Sequence, residues 1–278
     1  MFSLDGKMVV VTGGGRGIGR GISRAMAQAG ADVVVTGRSP GPLEETAAEL
    51  RGYGVDVAVV ACDIMSHAGI AAVANAALAM KGGSIDAWVN NAGSAAAGDV
   101  GSLIDMTETQ WDNVVDLNLK WSFFAAQAAA RAMDPARGGR GGSIVNISSR
   151  SGSQPCPMTG NYGAAKAGIE SLTATAAVEW GHMGIRVNAI APGVVLTESS
   201  SSMTSPSRQK RQIETVPLRR LGTVDDIGPL AVYFASDESA WTSGTVVQVT
   251  GGSRITVGTL TYLHKIAQRF DAAETAAP

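Results

Sequence analysis

The sequence predicts an α/β fold, a doubly wound parallel sheet with helices on both faces, and three observations carry that prediction. Short continuous apolar runs such as Met8-Val9-Val10-Val11 recur along the chain, as expected of strands buried on both faces. Helix-period segments alternate with these runs, the order that yields parallel strands joined by crossover helices. The first run ends in a glycine-rich turn, Thr12-Gly13-Gly14-Gly15-Arg16-Gly17-Ile18-Gly19, that opens the first helix.

The elements follow in order. After the strand at 8–11, Ile18, Ile22, Ala25, Met26 and Ala29 recur at helical spacing up to the stop at Gly30. Val33-Val34-Val35 restarts a strand, and Val57-Ala58-Val59-Val60 is the next. A helix from about Ser66 to Met80 and a strand at Ile85-Asp86-Ala87-Trp88-Val89 continue the rhythm. A long helix is predicted over roughly Thr109 to Met133, then a strand over Ser143–Ile147. A helix from about Asn161 to Trp180, a strand around Arg186–Ile190 and a last strand at Val246–Val249 complete the series. No internal repeat appears, and Gly138–Gly142 reads as a loop between helix and strand. One domain over 1–257 is expected. Within it, the serine- and threonine-rich stretch Thr197–Ser207, followed by Arg208, Lys210 and Arg211, reads as a lid over about 195–217 or as a solvated loop. Leu260, Leu263, Ile266, Ala267 and Phe270 have the spacing of an amphipathic helix. Residues 258–278 are therefore read as a C-terminal extension, disordered at its end.

Composition excludes several classes. With 278 residues, 45% of them hydrophobic and 17% charged, the chain is of globular type. A net charge of −2 gives no electrostatic case for nucleic acid or an anionic membrane. Cys62 and Cys156 lie in unrelated contexts and His67, His182 and His264 are scattered, so no metal site assembles. The N-terminal residues lack a signal-peptide pattern, and no window approaches the roughly 20 apolar residues of a membrane span. A cytoplasmic location is the expectation.

The chemistry-bearing residues are Tyr162 and Lys166, four apart, with Ser149 thirteen positions upstream. On a helix that spacing puts the phenol and the ammonium one turn apart on one face. A free phenol titrates near 10, and a neighbouring cation stabilises phenolate, moving it toward a useful acid–base range. Ser149 then holds a substrate oxygen beside the phenol. The constellation points to proton transfer to or from a carbonyl or alcohol.

The glycine turn supplies a partner for that chemistry. Its glycines let the backbone approach a pyrophosphate seated on the helix N-terminus. The strict G-x-G-x-x-G fingerprint is not met in any register, and no Gly-Lys-Ser/Thr closes the turn as in a P-loop. Where an NAD site carries an acidic residue, this chain reads Thr36-Gly37-Arg38. Arg38 and Arg16 instead converge on a 2′-phosphate or lie solvated, and the expectation is NADP(H) rather than NAD(H).

Together these residues resemble the short-chain dehydrogenase/reductase family, through Thr12-Gly13-x-x-x-Gly17-x-Gly19, Asp63, Asn90-Asn91-Ala92-Gly93, Asn118, Ser149, Tyr162-x-x-x-Lys166 and Pro192-Gly193. The resemblance runs to about Gly252 and implies a single Rossmann-type domain, hydride transfer at a nicotinamide and a homotetramer. It implies Tyr162 as general acid or base, Lys166 also bonding the nicotinamide ribose, Ser149 rather than Ser148 polarising the substrate carbonyl, and Asn118 holding a water in a proton relay. It further implies cofactor contacts from Gly13, Gly15, Arg16, Gly17, Ile18 and Gly19, and from Asp63 and Ile64 at the adenine. Asn90, Ala92 and Gly93, and then Pro192, Gly193, Val195 and Thr197, complete the set, with Asn90 either touching the cofactor or bracing the central strand beside it. Two departures stand out: Thr250 precedes the final Gly251-Gly252 where many members have aspartate, and the tail is about 25 residues longer than usual.

Gln154, Met158 and Val194 are expected to line a pocket of small and apolar groups, suited to a ketone, a secondary alcohol or the acyl end of a thioester. The motif pattern is close to 3-oxoacyl-carrier-protein reductase-like members. Arg208, Lys210, Arg211, Arg219 and Arg220 then meet a CoA phosphate or an acidic acyl carrier, or form a solvated basic face. Sugar-alcohol, steroid and xenobiotic-carbonyl substrates fit equally. An enoyl reductase normally spaces its tyrosine and lysine further apart, and a cofactor-sensing protein typically loses one of them.

Overall fold

The computed structural model describes residues 2–80, 82–198 and 205–253. The proposed amphipathic tail helix and the middle of the serine-rich stretch lie outside these residues.

Seven parallel strands form one sheet in the order β3-β2-β1-β4-β5-β6-β7. They are β1 (Met8–Thr12), β2 (Asp32–Gly37), β3 (Val57–Ala61), β4 (Ala87–Asn90), β5 (Gly142–Ile147), β6 (Ile185–Pro192) and β7 (Val246–Val249). Every residue of β1 is buried. Val9 and Val11 face a core shared with Ile22, Met26, Leu43 and Phe234, whereas Met8 and Val10 face one shared with Val73, Trp88, Ala129 and Met133. Side-chain alternation along one strand thus feeds two hydrophobic layers, which is why the run reads as continuously apolar.

The helices divide between those layers. On one face lie α1 (Gly17–Gln28), α2 (Pro40–Arg51) and the late helix Gly228–Ala235; on the other lie α3 (His67–Ala79) and the helix ending at Met133. The predicted helix over 109–133 is present but composite. It runs as α4 (Glu108–Val115), a π turn over Asp116–Lys120, and α5 (Trp121–Met133). The long α6 (Gly160–Trp180) buries Asn161, Ala165, Ile169 and Thr173, successive positions four apart. After it come α7 (Pro206–Glu214) and α8 (Gly228–Ala235).

Three helices, α2, α7 and α8, were not legible in the sequence. α2 and α8 each carry proline in the first helical turn, where its missing N–H is not needed. The polar α7 has no apolar stripe to announce it. Among the described residues no helix is long and apolar enough to cross a membrane, and no group of side chains could hold a metal ion.

Candidate active site

The strand order reverses between β1 and β4, and a cavity of about 580 Å³ opens there at the carboxyl ends of the strands. Crossovers leave that point in opposite directions, so the connecting loops part and leave a crevice.

The glycine turn forms one wall. Gly13, Arg16, Gly17, Ile18 and Gly19 all line the cavity. A Cβ on Gly19 would stand 2.1 Å from the Gly13 carbonyl oxygen, so only glycine lets the helix start this close to the strand end. Thr12 fastens the turn to β4, its hydroxyl accepting from the Asn91 and Ala92 N–H groups at 2.9 and 3.0 Å. The Gly17 N–H donates to the Glu198 carboxylate at 3.1 Å. An anionic group thus already sits at the N-terminus of α1, where unpaired N–H groups and the helix dipole favour negative charge.

Asp63 and Ile64 line the cavity beyond β3, Ala92 and Gly93 beyond β4, and Pro192, Gly193 and Thr197 beyond β6. Arg16 and Arg38 are exposed at its rim, and among the described residues neither has an ion-pair partner. Their neighbours differ: Arg20 pairs with Glu49 at 2.8 Å, and Arg24 pairs with Glu49 and Asp225.

Ser149, Tyr162 and Lys166 meet on the opposite wall. Ser149 caps a 3₁₀ turn over Arg150–Gly152, its Oγ accepting from the Ser151 N–H at 3.2 Å. Asn161 fixes the start of α6 by donating to the Asp99 and Gln110 carbonyls at 2.8 and 3.1 Å. Lys166 is 4% exposed, and its Nζ donates to the Ile147 carbonyl at 2.8 Å, 5.5 Å from the centre of the Tyr162 ring. Burial pulls the lysine down to about 8. Burial also pushes the Tyr162 phenol up, against a smaller downward pull from Ser149 and with a small upward push from Cys156. The sequence predicts that Lys166 sets the phenol below its ordinary value; here the net direction is upward, with desolvation the largest cause.

Asn118 lies in the π turn, fully buried, and its Nδ2 donates to the Ser94 and Val114 carbonyls at 2.7 and 2.9 Å. Its Oδ1 is buried without a protein partner. A Cβ on Gly93 would stand 2.6 Å from that oxygen and 3.3 Å from Lys166 Nζ. Asn118 therefore adjoins the lysine through the glycine, although it does not line the cavity.

Other expected residues stand elsewhere. Gly15 faces Pro42 and Leu43 of α2, so its lack of a side chain serves helix packing. Asn90 is buried, accepting from Trp88 Nε1 at 2.8 Å and donating to Asn146 at 2.9 Å, the brace at the sheet centre that was the alternative expected of it. Val194 and Val195 line a separate small cavity with Val216 and Leu218. Gln154 and Met158 do not line the large cavity, and Met158 is 59% exposed. Arg220 is committed to Asp226 through two bonds of 2.7 Å, and Arg219 donates to the Glu214 carbonyl at 3.4 Å. This weakens the basic-face reading at Arg220. Sequence reasoning missed Cys62, Met65 and Leu117 on the cavity wall. The first two flank the Asp63-Ile64 strand end, where proximity alone was a usable signal; Leu117 gave none.

The chain is similar to known proteins over most of its length. A family profile described as enoyl-(acyl carrier protein) reductase matches residues 13–254. Galactitol 2-dehydrogenase of Rhizobium johnstonii is 36% identical over 90% of this chain and 96% of that protein. 3-Oxoacyl-[acyl-carrier-protein] reductase of Pseudomonas aeruginosa is 35% identical over 90% and 98%. A solved structure of 7α-hydroxysteroid dehydrogenase, complexed with NADH and 7-oxo glycochenodeoxycholic acid, superposes with a TM-score of 0.83 at 32% identity, covering 90% of this chain and 95% of that one. With a profile over most of its length and such relatives across nine tenths of it, the chain belongs to the short-chain dehydrogenase/reductase family and is an oxidoreductase of the dehydrogenase/reductase class.

Proposed function

We propose that the protein transfers a hydride between NADP(H) and a ketone or secondary alcohol, with Tyr162 exchanging the proton at the substrate oxygen. The observation that carries this reading is that Ser149, Tyr162 and Lys166 share one cavity with the glycine turn. The residues fit a dinucleotide: a carboxylate already occupies the anion position on α1, and Gly13, Gly17 and Gly19 line the cavity beside it. Gly13, Gly17 and Ile18 would hold its diphosphate, Asp63 its adenine and Lys166 its nicotinamide ribose. When bound, the nicotinamide supplies or accepts the hydride.

Ser149 donates to the substrate oxygen and orients it toward the phenol. Tyr162 protonates that oxygen in reduction and removes its proton in oxidation, and the Lys166 cation stabilises the phenolate left behind. Asn118 Oδ1, buried and unpartnered beside Gly93, is suited to a water that relays protons to Lys166. Arg16 and Arg38, with no carboxylate at the end of β2, favour the 2′-phosphate of NADP(H). The relatives named above act on a sugar alcohol, a 3-oxoacyl thioester and a steroid, so the substrate class is a secondary alcohol or its ketone. A lid over about 195–217 is part of this reading, supported by Thr197 and Glu198, which lie against Gly17 of the glycine turn.

The test is NADPH oxidation followed by absorbance across ketones, diketones, 3-oxoacyl thioesters and an enoyl thioester. Turnover of a carbonyl that Tyr162→Phe abolishes without loss of cofactor binding is expected. Silence on every carbonyl, or turnover of the enoyl thioester alone, overturns the reading.

A further inference from the structure

Glu170 lies four residues beyond Lys166 and eight beyond Tyr162, on the same face of α6. Its Oε1 accepts from the Ser148 hydroxyl at 2.7 Å. Ser148 is 2% exposed and sits immediately before Ser149, and it also donates to the Lys166 carbonyl at 3.4 Å. At the other end of the same turn, a Cβ on Gly152 would stand 2.6 Å from Glu170 Oε1. The carboxylate therefore holds the 148–152 turn at Ser148 and lies close against its other end at Gly152. Between them the turn has little freedom: the Gly152 N–H donates to the Ser149 carbonyl at 2.9 Å, and the Ser151 N–H to the Ser149 hydroxyl at 3.2 Å.

We propose that Glu170 is a positioning residue: by holding Ser148 and packing over Gly152, it registers the Ser149 hydroxyl against Tyr162. This rests on the reading of Ser149 and Tyr162 as the groups that meet the substrate oxygen. Two neighbouring serines are then given separate tasks. Both line the cavity, but the Ser148 hydroxyl is committed to Glu170, whereas the Ser149 hydroxyl is held by the Ser151 N–H of its own turn. Lys166 contributes a third grip on the same strand end through the Ile147 carbonyl at 2.8 Å. A role for Glu170 as the counter-ion of Lys166 does not fit, because among the described residues no ion pair joins them. A bond from a hydroxyl to a carboxylate is stronger and more directional than a neutral one, which suits a group that must fix a position.

The experiment compares Glu170→Ala, Glu170→Gln, Ser148→Ala and the double variant Glu170→Ala/Ser148→Ala with Tyr162→Phe, on whichever ketone or 3-oxoacyl thioester the protein reduces fastest. Glu170→Ala and Ser148→Ala should each lower kcat by about tenfold to a hundredfold, the scale of a misplacement of roughly 1 Å. The cofactor KM should stay within about twofold, since the glycine turn is untouched. The double variant should be no worse than the poorer single one, because both remove one interaction. Glu170→Gln should recover to within about threefold, as its amide oxygen still accepts from Ser148. Amide exchange at Gly152 and Ser153 should accelerate in Glu170→Ala and Ser148→Ala and stay slow in Glu170→Gln, a readout that needs no substrate.

Wild-type kcat in Glu170→Ala beside an inactive Tyr162→Phe would sink the proposal alone. So would additive losses in the double variant, or a Gln variant as impaired as the Ala one. A Tyr162→Phe protein that turns over normally would sink the acid–base reading and the proposal with it.

Discussion

Lys166 Nζ donates to the Ile147 carbonyl at 2.8 Å and lies 5.5 Å from the centre of the Tyr162 ring. The cation is thus anchored to the sheet and faces the phenol at a fixed distance. Its burial has a thermodynamic cost. A lysine held at about 8 against an ordinary 10.5 costs the folded state about 3 kcal/mol at neutral pH.

Because its folded value is depressed, the penalty is complete below pH 8 and fades as pH rises toward 10.5. Tyr162, raised above 10, acts in a separate window, its contribution being lost only above that value. Denaturant unfolding of wild type and Lys166→Met at pH 7 and 9.5 checks this. The stability of wild type relative to the variant should improve by about 2 kcal/mol between the two. A pH-independent difference would mean that Lys166 is not desolvated as described.

Gly93 separates Asn118 from Lys166, and a methyl there would stand 2.6 Å from the Asn118 oxygen. Asn118 is fully buried and held by two carbonyls, so it has nowhere to yield. Gly93→Ala should lower kcat by about a hundredfold or more, the scale of losing aligned catalytic groups, while NADPH binding at the glycine turn weakens much less. Kinetics beside fluorescence titration of NADPH would show whether chemistry and binding separate in this way.

The Glu198 carboxylate occupies the N–H of Gly17 that a diphosphate would use. Removing its charge removes a competing anion. Glu198→Gln should therefore tighten NADPH binding by about threefold to tenfold, in the range of a charge at a helix N-terminus. Fluorescence titration reads this directly. An unchanged or weaker Kd would mean that the carboxylate and the cofactor do not contend for the same N–H.

Arg38, without an ion-pair partner among the described residues, should be the more telling probe of cofactor choice. Arg38→Ala should raise the KM for NADPH by about tenfold to a hundredfold, the worth of hydrogen bonds to a charged group, and leave that for NADH nearly constant. Equal losses with both would assign Arg38 a general role.

Much of this arrangement was legible in advance, for specific reasons. The strands announce themselves because the central ones are buried on two faces and read as apolar runs, and the half-buried edge strands β3 and β7 keep the same composition. Tyr162 and Lys166 were legible as neighbours on one helix face from their spacing, and the place of Ser149 beside them from the family resemblance. The role of Gly15 in packing α2 was not, since a glycine needed by a ligand and one needed by a neighbouring helix look alike in sequence. Nor was the placement of Gln154 and Met158, which depends on how the 150–159 loop folds and not on any periodicity. The upward push on the Tyr162 phenol was misjudged because spacing reveals a nearby cation but not how little water surrounds the pair.

The π turn at Asp116–Lys120 bears on how this helix tolerates change. Such a turn is one residue inserted into an α-helical ladder. Upstream, α4 serves the site; downstream, α5 sinks Ala125, Ala129 and Met133 into the core. Each residue turns an α-helix by about 100°, so without the insertion the two halves could not both keep their present orientation. The extra residue frees their rotational phases from one another. Substitutions that repack the α5 face thus need not re-aim Asn118, whereas deleting a single residue anywhere between 116 and 120 would force one half to swing away from its partner.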